Sequence, residues 1–182
     1  MKDTIVQFVC FATNLELDEF TVEWDRYNQK LAGQKEEPVL LQKTAKEKNK
    51  FNFISKYEWP VSDFNFTVIN DRISKYLPEH RVKILQAGGY TALEQIKKHI
   101  VDHNSTKLIA FISHQENDID FYRDLPLYSS LNTFQAYYES CAYGYVLEFF
   151  VPEVNAEELL LLLNQRHTAE AGIYKEALVP QI

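Results

Sequence analysis

Two patterns of hydrophobic and polar positions alternate along the chain. Short apolar runs bounded by turn residues are typical of buried strands, and apolar residues recurring every three or four positions indicate amphipathic helices. The richest aromatic run covers residues 134–152. Its second part, residues 143–151, is aromatic and β-branched and is followed by a proline, which predicts a buried strand.

The first half of the chain predicts the order strand, helix, strand, strand, helix, strand. Its first strand is Thr4–Thr13, which is apolar on both faces and therefore central in a covered sheet. The helix that follows carries Phe20, Trp24, Tyr27 and Leu31 at helical spacing and stops at Gly33. The further predicted strands are residues 38–44, 51–59 and 82–86, and the second predicted helix is residues 64–77.

Two stretches of the first half do not fit a single regular pattern. Residues 64–77 fit both strand alternation and helical spacing, and the helix is favoured because the corresponding part of the second half is plainly helical. Gly88 and Gly89 follow the last strand and predict a bulge or a close approach of the backbone.

The second half restarts with a strand at residues 107–113. Ser113 and Glu116 have the spacing of a capping box, which predicts a helix from there to about Leu125, before Pro126. Residues 127–141 fit a helix and a strand equally well. A strand at 143–151, a helix at 155–166 and a strand at 173–179 complete the half.

An internal repeat links the two halves. Pro60 and Pro152 each end an aromatic strand and lie 152 − 60 = 92 residues apart. The segments Ala87-Gly88-Gly89-Tyr90 and Ala171-Gly172-Ile173-Tyr174 also match, at an offset of 84. A repeat of this length fits a duplicated domain rather than a solenoid.

Two such β-α-β-β-α-β halves in one chain resemble the dimeric α-β barrel superfamily in its fused, tandem form. The resemblance rests on element order and duplication over nearly the whole chain. It implies an α+β fold with two tandem ferredoxin-like units, residues 1–96 and 105–182, joined by a linker at 97–104 into one intrachain barrel. The superfamily includes cofactor-free monooxygenases, EthD-like and NIPSNAP-like proteins, muconolactone isomerases and haem enzymes such as chlorite dismutase.

Composition narrows the classes of partner. The 182 residues carry a net charge of −7, and residues 93–182 hold all of it, with 6 Lys and Arg against 13 Asp and Glu. An acidic chain repels phosphate backbones and anionic membrane surfaces, so we expect neither nucleic acid nor membrane as a partner. Cys10 and Cys141, the only cysteines, lie in apolar runs, which favours free buried thiols and a cytoplasmic location.

The aromatic share of 14% directs attention to a pocket. Tyr138, Tyr143 and Tyr145 are candidates for lining an aromatic cavity between the two sheets, with Glu139 or Glu148 as its polar contact. A plain hydrophobic core explains the same rings equally well. These residues and Arg123 are the predicted ligand contacts.

Two histidine patterns and one arginine pattern are candidate sites, and each also has a simpler explanation. His114 follows a buried strand and is a candidate general base, although a helix-start residue with acidic neighbours is commoner. His99 and His103 have helical metal-site spacing, but a solvated linker is the better interpretation. Arg26 and Arg123 occupy comparable helix positions and are candidates for clamping an anion, against the commoner surface ion pair.

No phosphate-binding loop, Gly-x-Gly-x-x-Gly or Cys-x-x-Cys motif occurs, so neither a cofactor nor a metal is predicted. Haem would require His114 to turn its ring into the cavity. The function predicted is small-molecule binding or cofactor-free catalysis in the aromatic cavity. The alternative is a non-catalytic interaction or regulatory protein with a filled core. A fused chain already covers both sheets, so we expect a monomer or a weak homodimer.

Overall fold

A computed structural model describes residues 4–29, 38–44, 50–65, 75, 81–99, 105–116, 118–166 and 169–177. The strands are β1 Thr4–Thr13, β2 Val39–Lys43, β3 Phe53–Pro60, β4 Val82–Lys97, β5 Ser105–Ile112, β6 Ser130–Ala136, β7 Tyr145–Pro152 and β8 Ala169–Glu176. The α-helices within the described residues are α1 Leu17–Asn28, α2 Ile119–Asp124 and α3 Ala156–Asn164. The fold class is therefore α+β, as predicted.

The eight strands close into one barrel. Their order around it is β1-β3-β2-β8-β5-β7-β6-β4, and every neighbouring pair is antiparallel. Both seams between the halves are hydrogen-bonded ladders, β2 with β8 and β4 with β6. Closure leaves no sheet edge unpaired, which removes the aggregation hazard of free strand edges.

Each half contributes four consecutive strands to the barrel in the same order. The first half runs β4-β1-β3-β2 and the second runs β8-β5-β7-β6. The predicted first strands, β1 and β5, each lie between two strands of their own half and are buried. The prediction that Thr4–Thr13 is central is confirmed, and β5 has the same place among the strands of the second half.

Alternation along the strands divides the side chains between two environments. Ile5, Val9 and Phe11 of β1 pack with residues of α1 on the outer face. The second-half strands pack in the same way against α2 and α3. A third cluster joins Val6 and Phe8 of β1 to strand residues of the second half, so it fills the barrel interior.

Several local predictions require correction or refinement. Ser113 does not begin a helix, because its hydroxyl accepts from the Gln115 N–H in a turn and α2 begins at Ile119 with Asp118 as its N-cap. The ambiguous stretch 127–141 contains strand β6. The strand predicted at 82–86 continues to Lys97, because residues 90–97 pair with β6.

Gly89 confirms the close backbone approach predicted for the two glycines. A Cβ atom there would lie 2.5 Å from the ring of Phe64. The register shift of β4 against β1 lies opposite Cys10 and Phe11 rather than at the glycines. The helix predicted at 64–77 falls almost wholly outside the described residues, as does His103.

No helix in the described part of the chain is long and apolar enough to span a membrane.

Candidate functional site

Side chains pack the centre of the barrel interior. Phe8 makes edge-to-face contacts with Tyr90, Phe111 and Phe134 at centroid distances of 5.8, 6.2 and 5.4 Å. Phe8, Tyr90 and Phe111 have no exposed surface. A side chain with no accessible surface borders no water-sized void, so these rings line no cavity.

The three predicted ligand tyrosines lie in different places. Tyr145 packs on the helix-covered outer face, the side opposite the interior. Tyr143 is half-buried at one end of the interior, 5.4 Å from Phe111, and burial followed by the charge of Glu170 raises its pKa to about 12. Tyr138 stacks on Phe64 at 6.2 Å, and Glu139 is exposed.

His114 lies in the turn after β5 and is exposed. Its Nε2 is 2.7 Å from the carbonyl oxygen of Cys141. A Cβ atom at Gly144 would lie 3.1 Å from the His114 ring, so the glycine leaves room for the imidazole. The ring therefore packs against the β6–β7 loop and does not point into the barrel.

Both arginines considered as anion clamps form ion pairs with neighbouring carboxylates. Arg123 pairs with Glu94 and Asp120, and Arg26 pairs with Glu23 at 3.0 Å. These contacts match the simpler explanation, a surface ion pair.

A polar and aromatic cluster lies between α1 and the outer face of the sheet. We call it the α1 cluster; its members are Gln7, Trp24, Tyr27, Asn28, Ser55, Tyr57 and Trp59. Alternate residues of β3 face α1, which brings Ser55, Tyr57 and Trp59 together, and Gln7 of β1 is the cross-strand partner of Tyr57. Both tryptophans of the protein belong to the cluster.

Three hydrogen bonds join helix to sheet and strand to strand within the cluster. The Trp24 indole donates to Ser55 Oγ at 3.0 Å, and the Tyr57 hydroxyl donates to Asn28 Oδ1 at 3.0 Å. The Trp59 indole donates to Gln7 Oε1 at 3.1 Å. Trp59 also stacks on Tyr57 at 6.2 Å. These contacts make the cluster one continuous layer.

Three polar atoms of the α1 cluster are buried without a hydrogen-bond partner in the described part of the chain. They are Gln7 Nε2, Asn28 Nδ2 and the Tyr27 hydroxyl. Buried polar groups are nearly always paired, and because these atoms border no water-sized void, a new partner reaches them only if α1 moves away from the sheet. Burial, and then the neighbouring Tyr57 hydroxyl, raises the pKa of Tyr27 above its usual value, and burial raises that of Tyr57 as well. The two hydroxyls are therefore neighbours, but they do not have the geometry of a hydrogen bond.

The chemistry available in the cluster follows from these groups. Both phenols are neutral near neutral pH, so the Tyr27 hydroxyl can donate a proton in a hydrogen bond. The two free amide nitrogens are donors only. The cluster contains no carboxylate, imidazole or ammonium group. It therefore suits an occupant with acceptor oxygens and offers no strong base for proton abstraction.

The second half has a polar group near its own helices, but that group is internally satisfied. The Tyr122 hydroxyl donates to Glu116 at 3.1 Å, and Arg166 lies 3.8 Å from the same carboxylate and 3.6 Å from Asp118. The Arg166 guanidinium also covers the Phe121 ring at 3.9 Å. This arrangement fixes the turn before α2 through contacts between its own charged groups.

Sequence reasoning recognised part of the α1 cluster. Trp24 and Tyr27 were identified as the buried stripe of a helix, but only Arg26 beside them was considered for binding. The available signal was the presence of Gln7 and Ser55 at core-facing positions of otherwise apolar strands.

Other sites are weaker. A cleft of about 270 Å³ lies beside the start of α1 and is lined by residues such as Asn14, Gln42 and Asn52. It contains none of the unpartnered buried atoms. In the described residues, no group of three or more His, Cys, Asp or Glu side chains is placed to hold a metal.

No protein-family model matches the sequence, and no curated protein matches it. Solved structures match its fold. An anthrone oxidase-like protein aligns with a TM-score of 0.59 and 8% identity over 100% of this chain and 95% of its own.

A mutant chlorite dismutase from Candidatus Nitrospira defluvii, in complex with cyanide, aligns with a TM-score of 0.59 and 5% identity, over 98% of this chain and 93% of that one. A second mutant of that enzyme aligns with a TM-score of 0.58 and 6% identity, over 96% of this chain and 92% of its own. Chlorite dismutase is among the enzymes of the superfamily that the sequence resembles, so the resemblance is confirmed at the level of the fold.

Proposed function

We propose that this protein binds a small aromatic molecule with acceptor oxygens between α1 and the sheet, at the α1 cluster. The observation that carries the proposal is the set of three polar atoms on Gln7, Tyr27 and Asn28 that are buried and have no hydrogen-bond partner among the described residues. Leaving such atoms unpaired costs roughly 1–3 kcal/mol each. A ligand oxygen that accepts from them removes this cost.

The walls of the cluster define the rest of the ligand. Trp24, Tyr57 and Trp59 are each at most 5% exposed, so a ligand enters only when α1 moves away from the sheet and uncovers the faces and edges of their rings. A planar ring system packs well against such walls. The ligand thus lies outside the barrel rather than between the sheets, where Phe8 and its neighbours fill the centre.

A catalytic role for this site would consist of charge stabilisation. Fixed donors directed at a carbonyl or phenolate oxygen stabilise negative charge that develops on it. Because the cluster holds no base, the residues here bind and polarise the ligand and do not remove its proton. The name of one similar structure, an anthrone oxidase-like protein, is consistent with an aromatic ligand that carries an acceptor oxygen, since an anthrone is a polycyclic aromatic ketone.

Tryptophan fluorescence tests the proposal directly, because both tryptophans lie in the cluster. Titration with aromatic ketones and phenols is expected to change the emission saturably at one site per chain. Matched hydrocarbons that lack the oxygen should bind at least about tenfold more weakly, the worth of one good hydrogen bond. Equal binding of both sets, or no saturable change with any compound, would contradict the proposal.

A second candidate is a non-catalytic interaction or regulatory protein. The packed interior favours it, because rings without accessible surface leave no room for a ligand at the barrel centre. Under this alternative, α1 stays packed against the sheet, and the fluorescence titration shows no saturable binding.

We further infer a tandem of two ferredoxin-like units, residues 1–96 and 105–182, joined by the linker 97–104. The repeated strand order supports this. So do β3 and β7, which both have eight residues, end at Pro60 and Pro152 and lead into three-residue 3₁₀ helices. A monomer or weak homodimer in the cytoplasm, where the buried thiols stay reduced, fits this arrangement.

A further inference from the structure

A lysine and a glutamate meet inside the barrel. Lys56 Nζ of β3 lies 3.3 Å from Glu148 Oε2 of β7, and the Glu148 side chain is only 2% exposed. The same carboxylate oxygen accepts from Asn132 Nδ2 at 3.0 Å. The ammonium group also lies 5.2 Å from the centroid of the Phe134 ring. The carboxylate is thus buried, the Lys56 side chain is mostly covered, and an aromatic ring lies beside the ammonium group.

The two residues hold equivalent positions in the two halves. Each is the fourth residue of an eight-residue strand, β3 or β7, that ends at a proline. Lys56 and Glu148 are 92 residues apart, the offset between Pro60 and Pro152. Three strands lie between β3 and β7 in either direction around the barrel. The two side chains therefore come from opposite walls, across the axis that relates the halves.

The position of these residues at the axis determines which charges meet when other combinations of halves form a barrel. If two first halves from separate chains formed a barrel, the same positions would place one Lys56 opposite another. Two second halves would place one Glu148 opposite another. Like charges brought together in a desolvated interior repel strongly, whereas the observed pairing places opposite charges together.

We propose that Lys56 and Glu148 are a pairing determinant, which makes each half accept the opposite half and reject its own kind in a second copy of the chain. The inference rests on the tandem arrangement proposed above and does not depend on ligand binding at the α1 cluster. Selection by repulsion is the usual way in which related surfaces avoid the wrong partner.

Charge reversal in the full-length chain tests the determinant. Lys56→Glu places two glutamates at the axis, and Glu148→Lys places two lysines there. Each variant refolded alone is expected to lose most of its folded monomer. When the two variants are refolded together, complementary pairs form between chains, and native mass spectrometry should show a dimer with one chain of each kind.

Two controls separate charge from volume. The swap Lys56→Glu/Glu148→Lys restores an opposite pair within one chain and should refold as a monomer. The uncharged double variant Lys56→Met/Glu148→Leu should also fold, but without preference for a mixed dimer when combined with either single variant. Fluorescence titration of the swap variant checks the α1 cluster separately.

The proposal is overturned if Lys56→Glu and Glu148→Lys each fold alone as monomers in wild-type yield. It is also overturned if the mixture gives the two like dimers and the mixed dimer in statistical proportion. Loss of ligand binding with normal pairing would count against the α1 cluster only.

Discussion

Replacing Tyr27 by phenylalanine removes one unpartnered hydroxyl and little else. Tyr27 is 1% exposed, and its hydroxyl has no hydrogen-bond partner in the described part of the chain. A buried hydroxyl that lacks a partner costs about 1–3 kcal/mol of desolvation. Tyr27→Phe is therefore expected to raise the free energy of unfolding of the ligand-free protein, by about 1 kcal/mol or more.

For a chain of 182 residues, each kcal/mol corresponds to a shift of about 2–4 °C in the melting temperature. Equilibrium unfolding in urea, followed by circular dichroism, measures the change in free energy by linear extrapolation. The denaturation midpoint should rise while the slope stays constant, because the surface exposed on unfolding hardly changes.

Tyr57→Phe is the matched control, because it removes the same hydroxyl group from another tyrosine of the α1 cluster. The Tyr57 hydroxyl donates to Asn28 Oδ1 at 3.0 Å, so its removal leaves a buried acceptor unpaired. The control should lose roughly 1–3 kcal/mol, opposite in sign to Tyr27→Phe. Equal destabilisation by both variants would mean that Tyr27 has a partner within the protein, and the reasoning behind the α1 cluster would fail.

Four further outcomes are expected. Lys56→Met should destabilise the protein by about 3–5 kcal/mol by leaving Glu148 unpaired, whereas Lys56→Met/Glu148→Leu should stay near wild type in urea denaturation. Gly89→Ala should cost about 1–3 kcal/mol in the same assay, because the new methyl group meets the Phe64 ring at 2.5 Å. Burial raises the pKa of Tyr143 from 10.0 to about 12 in the folded protein. Its contribution to the free energy of unfolding is therefore complete below pH 10.0 and is lost as the pH rises towards 12. An alkaline unfolding series in which Tyr143→Phe behaves like wild type would contradict this. Sedimentation should show a monomer or a weak, salt-sensitive dimer, and a tight dimer unaffected by salt would argue against the charge argument.

Local signals were sufficient for most of the strands. Thr4–Thr13 coincides with β1, and the strands predicted at 38–44 and 51–59 overlap β2 and β3. Continuous apolar runs and terminal prolines carry this information within a few residues. The α+β class and the barrel were predicted from the order of elements along the chain, and the observed order of the eight strands agrees with a barrel.

Long-range contacts explain the main differences. Residues 91–97 have a weak strand pattern and gain their ladder only from β6, about forty residues later. Ser113 and Glu116 have capping-box spacing, yet the turn that holds His114 against Cys141 takes precedence and Asp118 caps the helix instead. Spacing along the chain does not report such competition.

The site was harder to predict than the fold. The rings of residues 143–150 alternate between the two faces of β7, and the sequence does not say which face meets a helix. Gln7 and Asn28 became candidates only when their amide nitrogens proved to be buried and unpartnered. The charge complementarity of Lys56 and Glu148 likewise depends on which strands oppose each other in the closed barrel.

Native mass spectrometry of the protein incubated with an aromatic ketone tests the central claim most directly, with Tyr27→Phe and Tyr143→Phe compared against wild type. The α1 cluster predicts one bound molecule per chain in wild type and in Tyr143→Phe, and about tenfold less in Tyr27→Phe. Retention in Tyr27→Phe with loss in Tyr143→Phe would place the ligand at the end of the barrel. Absence of binding in all three proteins would contradict small-molecule binding itself.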